Sequence, residues 1–312
     1  MALLVGTGSP EWGLTALAEG FGKLYALRNL PDESSVCVFT LPDELSGVVT
    51  PDSLVKAGEF RTLGRHSCHI SLLSSQAVVC NYTSGTLTLI DLDEEGIPSD
   101  DPCVVRFDGS GPDPVRQTSP HIHSSWITPD GQSIVVADLG SDRIYRFAVA
   151  DGKVDVSSRE DFLLPAGCGP RHCAFNSVGS RLYVATELSD EVLVYSYPEM
   201  ELLQRCTVNE ERPHGGAHIV MSPDFHYLYA SSRLKNDGIA VFEVRSDGQL
   251  EKCSYCPTGA HPRHFAISED GMQLICADKD DDSLEFFSIS GGMLEKQKEY
   301  KIDKPVFVII KQ

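Results

Sequence analysis

Short apolar, β-rich runs separated by polar turn clusters recur along the chain, most clearly in GPRHCAFNSVGSRLYVATELSDEVLVYSY, from Gly169 to Tyr197. The runs HCAF and RLYVAT flank Asn176-Ser177-Val178-Gly179-Ser180, a turn cluster with a late glycine, so together they predict a β-hairpin. A second turn at Leu188-Ser189-Asp190-Glu191 precedes VLVYSY, and LLQRCTV follows Tyr197-Pro198. The phrase therefore predicts four antiparallel strands.

The other copies begin near Trp12, Arg65, Ile122, Gly216 and Pro262. Laid on one another without gaps, they bring Gly13, His66, His123, Arg171, Ala217 and Arg263 into one column, with neighbours 46 to 57 residues apart. Sixteen residues further on, Asn29, Tyr82, Leu139, Glu187, Arg233 and Lys279 form a second column. A four-stranded unit at this period fits the blade of a β-propeller, because no single unit can bury its own apolar face. A Greek-key sandwich leaves the regular recurrence unexplained.

Six copies leave a remainder at the chain ends. KPVFVII near the C-terminus matches a first strand, with Pro305 in the place of Pro170, and ALLVGTG near the N-terminus matches a second. The expected fold is all-β, a single seven-bladed propeller domain over residues 1–312, with four-stranded antiparallel blades. Its closing blade is drawn from both termini and left incomplete, without third and fourth strands.

In this fold both columns lie at one end of each blade's first hairpin and, with the first strand innermost, ring one mouth of the channel. That mouth is basic in a chain whose formal charge is -19. The overall charge argues against a nucleic-acid or acidic-membrane binder. Ten cysteines spread singly through the repeats, a start without a basic leader and the lack of a long apolar run predict a cytoplasmic protein.

Several phrases resemble the seven-bladed propeller lactonases, the family of bacterial 6-phosphogluconolactonase and fungal carboxy-cis,cis-muconate cyclase. They are GSGPDPVRQTSPHIHSSWITPDG at 109–131, ADLGSDRIYRF at 137–147, GPRHCAF at 169–175, TEL at 186–188, HIVMSPDFHYLYASSR at 218–233 and HPRHFAISEDG at 261–271. The resemblance implies a site of His, Arg and Glu near the channel mouth, roles that fall on His123, Arg171 and Glu187. Arg233 is a fourth expected member and Arg263 a fifth. His218 departs from the acidic or small residue expected at its place.

For a lactone hydrolase, His123 is the natural general base and Arg171 polarises the carbonyl, with Glu187 orienting one of them. Arg233, Arg263 and Lys279, with His66 and His172, are the substrate-binding candidates for a small anionic sugar lactone. The same residues would serve a carboxymuconate-type cycloisomerase, and a non-catalytic propeller that binds a ligand or protein here is a third reading.

Neither a metal ion nor a cofactor is expected. Asp278 to Asp282 resembles a calcium loop but has Ser283 and Ile289 where glycine and glutamate are needed. Cys253 and Cys256 are half a zinc site without a second pair. His121 and His214 read equally as loop residues at the mouth or as surface histidines.

Overall fold

The computed structural model describes residues 1–8 and 13–311, so Trp12, near which the first copy begins, lies outside them. The chain forms two compact units, Met1–Gly169 and Pro170–Gln312. The first holds four-stranded antiparallel sheets at 14–61, 67–106 and 122–163, and the second holds three more at 170–207, 216–257 and 262–301. Each begins within two residues of a predicted copy.

The strands left for the closing blade are Ala2–Thr7 and Gly47–Val49 in the first unit and Pro305–Lys311 in the second. The architecture is a seven-bladed β-propeller whose closing blade has three strands among the described residues. The expected loss of two strands is corrected by Gly47–Val49, which leaves the connection between the first blade's last two strands. It pairs in parallel with the N-terminal strand, Ala2 opposite Gly47 and Leu4 opposite Val49. Three residues are too few to show a strand period in sequence.

Burial explains the apolar runs. Second strands such as Arg181–Thr186 and Gln273–Asp278 are buried at every position but the first, because both faces of a blade are covered. Fourth strands carry the polar residues: Met293–Lys301 is exposed at all positions but one.

Two hydrogen-bond devices recur within the units. A buried tyrosine of one blade's second strand donates to a glycine carbonyl in the last turn of the next blade. The pairs are Tyr25 with Gly96 at 2.6 Å, Tyr183 with Gly248 at 2.9 Å and Tyr229 with Gly292 at 3.0 Å. At the opposite end of the hairpin, an aspartate after the second strand accepts backbone N–H groups from the segment that enters the next blade. Asp142 takes Gly167 and Gly169, Asp190 takes His214 and Gly215, Asp237 takes His261, and Asp282 takes Lys304.

No helix among the described residues is long and apolar enough to cross a membrane. None of the ten cysteines is in a disulfide.

One copy departs from this economy. Asp138 closes the third blade's second strand and accepts from His121 N at 2.7 Å, Gly140 N at 3.0 Å, the Tyr145 hydroxyl at 3.1 Å and the Ser141 hydroxyl. In the sixth blade the equivalent Asp278 is fully buried, and the places of Ser141 and Tyr145 are held by Asp281 and Glu285. Burial and then the Glu285 charge push its carboxyl up to about 8.

A carboxyl whose folded pKa lies above its unfolded value loses stability as pH rises between the two. Asp278→Asn should therefore melt with wild type near pH 4 and above it at pH 8.5, as measured by thermal unfolding at the two pH values. Coincident melting curves at pH 8.5 would contradict the buried, donor-poor carboxyl.

Candidate functional site

The first hairpin of each four-stranded blade has a β-bulge at one place in its first strand, between Leu14 and Ala16, Ser67 and His69, Ile122 and Ser124, Pro170 and His172, Gly216 and Ile219, and Pro262 and His264. An extra unpaired residue re-aims its side chain out of the ladder. The residues so placed are Thr15, Cys68, His123, Arg171, Ala217 and Arg263.

This register corrects the first column in two blades. Gly13 and His66 precede the bulge by two residues, the place of His121 and His261, since all four carbonyls accept the N–H of the second-column residue. The cause is turn length. The first two hairpins turn through Phe21-Gly22 and Ser74-Ser75, whereas the third turns through residues 129–132. A gapless alignment cannot absorb that difference. His66 is exposed, with Nδ1 2.6 Å from the Thr83 hydroxyl.

In the second unit, the bulge and the hairpin end build a buried charged cluster. Arg171, Glu187 and Arg233 are 2%, 4% and 8% exposed. Glu187 Oε2 accepts from Arg171 Nε at 3.1 Å and from Arg233 Nη2 at 2.9 Å, and Arg171 Nη1 donates to the Ala217 carbonyl. Gly216 permits this approach, since a Cβ there would meet the Thr186 carbonyl oxygen at 2.1 Å.

Arg233 Nη1 lies 2.8 Å from His261 Nε2, and His261 Nδ1 lies 2.9 Å from Asp280 Oδ2. A guanidinium only donates, so Nε2 accepts and Nδ1 carries the proton toward Asp280. Burial, then the Arg233 charge, holds His261 down to about 4, which keeps it a neutral acceptor at physiological pH. Two guanidiniums share one carboxylate, and the Arg233 Nε is buried with no partner among the described residues. The Arg233 Nε is thus a buried donor left over in the cluster.

His172 adjoins it, with Nε2 3.2 Å from Arg171 Nη1 and Nδ1 2.7 Å from His218 Nδ1. His218 stacks on His264 at 4.0 Å, and His264 on Phe307 at 3.6 Å. His218 and His264 were not among the expected site residues. The signal was a histidine one place after the bulge, in RHC, AHI and RHF. Arg263 and Lys279 are half-buried, with Lys279 Nζ 3.2 Å from Asp280 Oδ1.

In the first unit, His123 is 6% exposed and meets the Tyr82 ring edge-on at 5.6 Å. Tyr82 also stacks on His121 at 4.3 Å, and the His121 Nδ1 is 2.9 Å from the Tyr82 carbonyl. His121 thus belongs to the His123 cluster, while His214 is tied to the Leu188 carbonyl and the Asp190 carboxylate. Among the described residues no three His, Cys, Asp or Glu side chains are grouped to hold a metal ion.

The family model for "Lactonase, 7-bladed beta-propeller" matches residues 2–310. A 6-phosphogluconolactonase of Formosa agariphila is 32% identical over 247 residues, 75% of this chain and 70% of that protein. A solved Bacteroides fragilis structure, a candidate 6-phosphogluconolactonase, superposes at TM-score 0.85 with 30% identity, covering 99% of this chain and 86% of the other. The periplasmic gluconolactonase PpgL of Pseudomonas aeruginosa shares the fold at TM-score 0.80 with 21% identity, over 99% of this chain and 87% of its own.

Removing the charge of Glu187 leaves two buried guanidiniums facing one another. Glu187→Gln should lower unfolding stability by about 3 to 5 kcal/mol, whereas Glu251→Gln, which breaks an exposed pair with Arg245, should leave the urea midpoint unchanged. Equal midpoints for Glu187→Gln and wild type would mean that the two arginines do not depend on the shared carboxylate.

Proposed function

The chain belongs to the seven-bladed β-propeller lactonase family, and from that membership we propose that it hydrolyses a small anionic sugar lactone, 6-phosphogluconolactone being the substrate that its relatives' names point to. The observation that carries this reading is the buried Arg171, Glu187 and Arg233 cluster, in which two guanidiniums share one carboxylate and the Arg233 Nε has no partner among the described residues.

In this scheme His123 takes a proton from water as the water oxygen adds to the lactone carbonyl carbon. The carbonyl electron pair moves onto oxygen, where Arg171 stabilises the developing charge. Collapse of the adduct breaks the bond to the ring oxygen, which receives the proton back from the His123 imidazolium. The product is the open-chain acid. Glu187 keeps the Arg171 guanidinium in one orientation, so little reorganisation is needed as charge develops.

Arg233, Arg263, Lys279 and His172 supply cation and donor groups for the substrate's anionic parts. No metal ion enters the scheme. Ten cysteines outside any disulfide, five of them buried, support a reducing, cytoplasmic setting.

The test is hydrolysis of 6-phosphogluconolactone in a pH-stat, corrected for the spontaneous rate. Arg171→Met should lower kcat about 100- to 1,000-fold, and His123→Ala about 100- to 10,000-fold. If both act on one step, the double variant should lose little more than the worse single variant. Multiplicative losses would separate the residues, and wild-type rates in both single variants would end the lactonase reading.

A further inference from the structure

The connection at 107–121, between the second and third blades, is the longest of those entering a blade, yet it is built rather than loose. Gln117 is fully buried at its centre, and its Nε2 donates to the Leu139 carbonyl at 2.8 Å and to Asp142 Oδ1 at 2.7 Å. Its Oε1 accepts from Asp113 N, and its backbone pairs with Gly111 and Asp113. Asp113 Oδ1 in turn accepts the N–H groups of Val115 at 2.9 Å and Arg116 at 2.8 Å. Gly111 is required, since a Cβ there would lie 2.5 Å from the Gln117 side chain.

This scaffold holds out Arg116, whose Nη2 donates to the Tyr82 hydroxyl at 3.1 Å. Tyr82 is flanked by His121 on one face and the His123 ring at its edge. Arg116, Tyr82 and His121 are half-buried, whereas His123 is buried. A planar cation, a phenol and an imidazole thus share a pre-formed patch next to the residue assigned the proton transfer. Such a set suits a phosphate or carboxylate, which accepts several donors at once.

We propose that Arg116, with Tyr82, binds the anionic substituent of the substrate and sets the preference for charged over neutral lactones. The assignment rests on the lactonase reading for its substrate class. Arg116 acts here in specificity, not in the chemical step.

Initial rates on 6-phosphogluconolactone, a carboxylate-bearing glucarolactone and uncharged gluconolactone distinguish the sources of the anion. For Arg116→Ala, the ratio of kcat/KM between the phosphorylated and the uncharged lactone should fall about 10- to 100-fold, and Arg116→Lys should restore part of it. The same fall with glucarolactone alone would assign the patch to a carboxylate. An unchanged ratio for both charged lactones overturns the proposal.

Calorimetric titration with 6-phosphogluconate separates this from the reaction itself. A wild type that hydrolyses none of the lactones but binds 6-phosphogluconate in an Arg116-dependent way supports the anion patch and ends the lactonase reading. Binding that is indifferent to Arg116→Ala overturns the patch.

Discussion

The aspartate that ends the hairpin turn in the third to sixth blades is the contact on which the geometry around Arg171 and Arg233 depends. Asp190 shows why. Its carboxylate accepts from His214 N, Gly215 N and the Ser232 hydroxyl, which fixes how the fifth blade's first strand enters beside the fourth. Gly215 then accepts the Arg233 N–H, and two residues on, the Ala217 carbonyl receives Arg171. One buried carboxylate therefore sets both the backbone that Arg171 grips and the strand end from which Arg233 departs. Burial pushes its carboxyl up, and the donors aimed at it act in the opposite direction.

On that frame, the blades differ in which residue occupies the bulge and which ends the hairpin. The same two places hold Thr15 with Asn29 in one blade, His123 with Leu139 in another, and Arg171 with Glu187 in a third. The frame tolerates these exchanges because the apolar second strands carry the packing. It tolerates some poorly: Asp278 keeps the aspartate of Asp138 after both hydroxyl donors around it have become carboxylates.

The blade starts were legible because each second strand is apolar at almost every position and each hairpin turn is polar, a contrast that survives changes of residue. Arg171, Glu187 and Arg233 were legible because the fourth and fifth hairpins have the long turn, so an ungapped comparison keeps them in register. His66 was misplaced for the opposite reason, since the turn at Ser74-Ser75 is two residues shorter. The strand at Gly47–Val49 carried no period to detect. The contacts of Tyr82 with Arg116, and of His172 with His218, depend on side-chain direction at a bulge, which residue spacing does not encode.

The claim on which the account turns is that the Arg171, Glu187 and Arg233 cluster meets the substrate. A crystal structure of the protein with 6-phosphogluconate, the product of the proposed reaction, tests it directly. The account predicts a carboxylate or phosphate oxygen within hydrogen-bond distance of the Arg171 or Arg233 guanidinium. A ligand seated only elsewhere, for example in the cavity of about 420 Å³ lined by Tyr227, Tyr229, Asp270 and Gly292, with both arginines untouched, would contradict it.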